Sequence, residues 1–154
     1  MTIIEIIQGM LAPGVMISAC GLLILGMNNK YSMVVNRIRV LDEEKRKLRQ
    51  VAEEGTLNPH QEKRFNSIKR QTSKLAFRIK LVRNAVVFYS IAVAFFILTC
   101  IGIGLNFISN DYDISSIVVV LFSIGMISVF TGIVSAVKEV LKGFEIINIE
   151  IEES

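Results

Sequence analysis

The chain has 154 residues, room for one domain, of which 52% are hydrophobic; the mean hydropathy is +0.54 and the net charge +3. That is too apolar for an ordinary water-soluble domain of this length. A soluble fold would have to hide this surface, whereas a bilayer accepts it.

The apolar residues gather in three stretches nearly free of charge, about 10–27, 85–108 and 114–137. Each approaches the ~20 residues that cross a ~30 Å hydrocarbon core as a helix. Backbone groups in lipid must bond within their own segment, and a barrel would show alternation instead. The expected fold class is therefore an all-α membrane protein, one membrane domain over 1–154 with three transmembrane helices. Three buried helices of a soluble bundle would not need runs this long.

In chain order, Thr2-Ile3-Ile4-Glu5 has capping-box spacing, so a helix is expected to begin at once. Gly9 and Pro13 then predict an interruption: a short interfacial helix at 3–9, a kink at Pro13, and the span proper beyond it. A secretory signal peptide opens with basic residues. Here the first is Lys30, beyond the apolar run, so the first span is expected to stay in the mature protein.

No stop signal follows that span. Val34, Ile38, Leu41, Leu48 and Val51 continue one stripe, which carries the helix to about Glu54, with Gly55 suited to a C′ position. A second helix is expected from Asn58, Pro59 and Gln61, read as N-cap, N1 and N3. Phe65, Ile68, Thr72, Leu75, Ile79 and Val82 alternate at three and four, leading without a break into span two. Residues 28–84 thus predict an antiparallel, coiled-coil-like helical hairpin extending spans one and two, with Lys45 and Thr72 interrupting its seam.

Of 17 Lys and Arg residues, fifteen lie between Lys30 and Arg83; the others are Lys138 and Lys142. The hairpin segment sets these fifteen against six acids. The link at 109–113 and the leading residues 1–9 carry acids only. By the positive-inside rule the hairpin and the tail, 138–154, are cytoplasmic, and the N-terminus and the Asn110-Asp111-Tyr112-Asp113 turn lie outside. In the tail, Ile147, Ile149 and Ile151 alternate with polar residues, which predicts either a short β-strand or a frayed acidic end.

The N-terminal third carries a family resemblance. Pro13, Ser18, Ala19, Gly21, Leu22 and Leu23 precede Asn28-Asn29-Lys30 and then Val34-Val35-Asn36-Arg37-Ile38-Arg39. This pattern resembles a family of small prokaryotic membrane proteins known as domain of unknown function 2721, departing from it at Lys30, where arginine is expected. The resemblance covers most of the chain. It implies the same three-span topology and the prokaryotic cytoplasmic (inner) membrane, and it supplies no activity.

No catalytic motif is present: no phosphate-binding glycine loop, HExxH, GxSxG or Cys/His cluster. The chain is expected not to be an enzyme and to need no cofactor. Cys20 and Cys100 read as small apolar filler, and His60 alone makes no zinc site. The spans hold no ionisable residue until Lys138 and Glu139 at the end of span three, which argues against an ion-coupled transporter.

Small residues recur at helix spacing: Gly14, Ser18 and Gly21 in span one, and Ser128, Gly132 and Ala136 in span three. They suit either packing within the chain or an oligomer interface. Ser128, Thr131 and Ser135 could line a pore, although such hydroxyls commonly bond back to their own helix. Lys30, Arg37, Arg39, Lys80 and Arg83 would sit near anionic lipid headgroups or serve simply as topology determinants. Acids interleave with the basic residues and no recognition motif accompanies them, so nucleic acid is not an expected partner. The leading expectation is a non-enzymatic scaffold or interaction protein that forms homo-oligomers. The alternatives are a passive channel built from a ring of copies and an accessory subunit recruiting a cytoplasmic protein through the hairpin.

Overall fold

The computed structural model describes residues 3–55, 58–108 and 114–152, with side chains described for all of these except 53, 54, 108 and 144–152. Three helices account for nearly all of them: α1 (Ile3–Glu54), α2 (Pro59–Ile108) and α3 (Ser115–Glu152). All three are long and apolar enough to cross a membrane, and there is no strand among the described residues.

Helix α1 runs for 52 residues with Pro13 inside it, so the separate segment expected at 3–9 is not formed. Proline removes one donor and presses its ring on the carbonyl four residues earlier. Here that residue is Gly9, which has no side chain to crowd the ring, and the Pro13 side chain is fully buried. Packing therefore offsets the lost bond. Past the apolar stretch, Asp42/Arg46 and Glu43/Lys47 place acid before base at i,i+4 on strong helix formers, which sustains α1. Gly55 follows its last residue but does not take a positive φ, so the left-handed cap is not used.

Helix α2 starts where its signals lie. The Asn58 amide donates to Gln61 Oε1 (3.1 Å), the reciprocal half of a capping box, and the Gln61 and Glu62 amides donate to the Asn58 carbonyl. Thr2 and the Asn110–Asp113 turn lie outside the described residues. Beside that turn, the Asn106 side chain holds both helix ends together: Oδ1 accepts from the Ile114 amide (3.3 Å) and Nδ2 donates to Ser115 Oγ (3.2 Å).

The tail is helical, not a strand: α3 continues to Glu152. An isolated strand would leave its backbone donors and acceptors without a ladder, whereas the helix closes each onto its own chain. No other segment offers an edge among the described residues.

Helix α2 is the central element. It packs along both α1 and α3, which scarcely meet each other. One core cluster joins all three helices around Cys20, Met27, Val82, Ala85, Tyr89, Ala92, Phe96 and Val129. A second joins α1 and α2 through Val34, Leu41, Ile68 and Leu75, with Ile38, Leu48 and Ile79 at its margin. Of the residues expected on the two stripes, Val51 is exposed, and neither it nor Phe65 belongs to either cluster. The Thr72 hydroxyl is buried without a hydrogen-bond partner.

Candidate functional site

A charged cluster lies at the end of the apolar part of the bundle, where α1 and α3 approach. Glu139 on α3 is 1% exposed and is held from two sides. Its Oε1 accepts from Arg78 Nη2 (2.6 Å) and Nε (3.1 Å) on α2, and its Oε2 accepts from Lys30 Nζ (3.2 Å) on α1. A carboxylate this buried is tolerable only with such partners. The cluster carries two cations and one anion, so one positive charge is left over.

The helix periods create this arrangement. On α2 the buried stripe reads Leu75, Val82, Ala85, Tyr89, Ala92, Phe96 and Thr99, and Arg78 falls on it between Leu75 and Val82. On α3 the packed face reads Gly125, Ser128, Gly132 and Ala136, and Glu139 is its next position. Gly143, one further turn along, gives the guanidinium room: a β-carbon there would lie 3.2 Å from Arg78 Nη2. Beside the cluster is a groove of about 330 Å³ lined by Lys30, Met33, Val34, Arg78, Glu139, Val140 and Gly143. A second groove of about 450 Å³ lies further along, between Gln8, Leu11, Ala12, Val15 and Met16 of α1 and Phe122 and Met126 of α3.

The two small-residue faces differ. On α3, Ser128 and Gly132 are buried against α2: Ser128 Oγ donates to the Phe88 carbonyl (2.7 Å), and a β-carbon on Gly132 would lie 2.6 Å from the Tyr89 ring. Ala136 packs on the same core. This face is spent inside the chain. On α1, Ser18 and Gly21 are exposed, and nothing lies within 4 Å of a β-carbon on Gly14 or Gly21. Ser18 Oγ only bonds back to the Gly14 carbonyl (3.4 Å).

The hydroxyls of Thr131 and Ser135 donate to the carbonyls of Ile127 (2.9 Å) and Thr131 (3.1 Å). The hydroxyl protons of Ser128, Thr131 and Ser135 are thus all given to backbone carbonyls. Of the five basic residues expected near headgroups, Lys30 enters the cluster, while Arg37, Arg39, Lys80 and Arg83 are exposed on the helix surfaces. Cys20 is buried in the core, Cys100 is half-buried, and both thiols are free. No group of residues suited to a metal occurs among the described residues.

The sequence reading names Glu139 only as a charge at the end of span three and passes over Arg78. The signal was there: each is a charge set on a stripe otherwise given to apolar or small residues. Further along α1 and α2, Glu44 accepts two bonds from Arg64, one from Nε (2.8 Å) and one from Nη2 (3.1 Å). The Arg64 guanidinium, helped by Arg37, holds this carboxyl below the usual glutamate range.

No match was found among curated proteins or among solved structures. Residues 10–149 match a family described as a protein of unknown function (DUF2721). That is most of the chain, including both small-residue faces and all three members of the charged cluster, and the protein therefore belongs to the DUF2721 family.

Proposed function

We propose that this protein is a non-enzymatic scaffold of the prokaryotic inner membrane, whose copies associate through helix α1. In this reading the three apolar helices span the bilayer. The basic ends of α1 and α2 project into the cytoplasm as a hairpin, and the N-terminus lies outside.

The observation that carries the reading is the uncovered face of α1. Gly14, Ser18 and Gly21 share one side of the helix, and by helical spacing that side points away from the α2-facing residues Pro13, Cys20 and Met27. Lipid tails are as apolar as leucine, so helices in a bilayer associate through close backbone approach rather than hydrophobic driving force. The equivalent face of α3 achieves that approach against α2. The face of α1 has no such partner among the described residues, and a second copy of α1 would supply one. A two-fold pairing of α1 with α1 is the simplest closed arrangement.

The channel reading has less to support it, because the donors of Ser128, Thr131 and Ser135 are spent on helix carbonyls. Recruitment of a cytoplasmic protein is compatible with the hairpin's exposed charges, and removal of residues 34–78 would abolish it.

Crosslinking in native membranes is expected to give dimers or larger species. Gly14→Leu and Gly21→Leu should each shift them to monomer without loss of folded protein, since both positions have open space within the chain. Monomers alone at every expression level, or oligomers unaffected by either substitution, would refute association through α1.

A further inference from the structure

We infer that the groove beside Glu139 binds the phosphate of an anionic phospholipid, with Lys30 and Arg78 as its cationic contacts. The inference rests on the helices spanning a bilayer and is independent of any association through α1.

The first ground is charge. Lys30 and Arg78 share a single carboxylate, so the cluster keeps one positive charge at the lip of the groove. Glu139 occupies Nε and Nη2 of Arg78, and the Nη1 protons are not used in that contact. A guanidinium offers five donors in a fork, so Arg78 can hold the carboxylate and still present donors to a phosphate oxygen. Lys30 is 44% exposed and has donors beyond the one given to Oε2.

The second ground is position. Lys30 follows the apolar run of α1, Arg78 precedes that of α2, and Glu139 ends that of α3. All three therefore lie at the depth of the lipid headgroups once the apolar helices cross a bilayer. By the charge distribution this is the cytoplasmic leaflet, where anionic lipids give basic residues their attraction.

The third ground is shape. Val34 and Val140 make the groove walls apolar immediately beside the two cations. Met33 adds to these walls from the α1 side. A molecule with a phosphate joined to hydrocarbon suits a charged lip set against apolar walls. A free phosphate or a soluble anion would use only the lip. Glu139 then acts as the group that fixes both cations in place and keeps the site singly rather than doubly positive, which suits one phosphodiester.

The test uses the full-length purified protein in mild detergent, with lipid retention followed by native mass spectrometry during titration with phosphatidylglycerol or phosphatidylcholine. The expected result is one phosphatidylglycerol per chain held at least fivefold more tightly than phosphatidylcholine. Lys30→Gln keeps the Arg78–Glu139 contact and should weaken this binding about fivefold, the scale of one basic residue near an anionic surface. Met33→Trp should also weaken it, by filling the groove from an exposed position. Lys69→Gln makes the same charge change on an exposed part of the hairpin and should leave binding unchanged. Equal retention of both lipids, or equal losses in Lys30→Gln and Lys69→Gln, would overturn the inference. Displacement of the lipid by millimolar inorganic phosphate alone would overturn it as well, since the site would then recognise a free anion.

Discussion

Glu139 is the residue around which the three helices are tied, and its three contacts differ in strength in a way that can be ranked. Arg78 gives two bonds to one oxygen, the shorter at 2.6 Å, while Lys30 gives one at 3.2 Å from a more exposed position. Removing Arg78 leaves a carboxylate buried with only the lysine. Breaking a buried pair in this way costs about 3–5 kcal/mol. Removing the charge of Glu139 instead leaves two cations that can turn toward water, as both retain exposure. Only the charge-assisted bonds are lost then, about 1.5–3 kcal/mol. Lys30→Gln should cost less than either. The expected order of destabilisation is therefore Arg78→Gln, then Glu139→Gln, then Lys30→Gln. Thermal unfolding of the three variants in one detergent measures it. Glu139→Gln as the most damaging change would mean that the cations, not the carboxylate, bear the cost of burial.

At the scale of the element, the α1–α2 contact changes character along its length. Near the bundle it is apolar, through Val34, Leu41, Ile68 and Leu75; further out it includes the forked Arg64–Glu44 pair. Glu44 is held below the ordinary glutamate range, chiefly by its bonds from Arg64. A carboxylate depressed on folding adds stability above its unfolded value and loses that addition as pH falls through the folded value. Wild type should therefore unfold at a slightly higher temperature than Glu44→Gln at neutral pH. The gap should close as pH drops below about 4, the ordinary range for the side chain. Both partners are largely solvated, so the neutral-pH gap is under ~1 kcal/mol. A gap that persists at acid pH would assign the effect to packing of the glutamate stem. The same element shows what could be read from residues in order. The stripe from Val34 to Leu48 and the start at Asn58-Pro59 were legible because period and capping are local properties. The passage of α1 through Pro13 was not, because it depends on the packing of the ring and on Gly9 four residues earlier. The helical tail was not either: Ile147, Ile149 and Ile151 have strand period, but a strand needs a partner that only the whole fold could supply.

At the scale of the molecule, the charged cluster was hidden for a related reason. Lys30, Arg78 and Glu139 are separated by 48 and 61 positions, and only the register of two helix pairs brings them together. The orientation proposed for the bundle, in contrast, rests on composition, since fifteen of the 17 basic residues lie between Lys30 and Arg83. In that proposal, positive charge that resists crossing the membrane keeps the segment on the cytoplasmic side. Two single cysteines test this in whole cells. With Cys20 and Cys100 replaced by alanine, Glu5→Cys should react with a membrane-impermeant maleimide applied from outside. Lys63→Cys should react only after the membrane is permeabilised. Both positions are exposed, so failure to react reports the barrier and not burial in the protein. If Lys63→Cys were labelled from outside, the cluster of Lys30, Arg78 and Glu139 would face the opposite leaflet. The leaflet assigned to its lipid would then be wrong even if a phosphate were still bound.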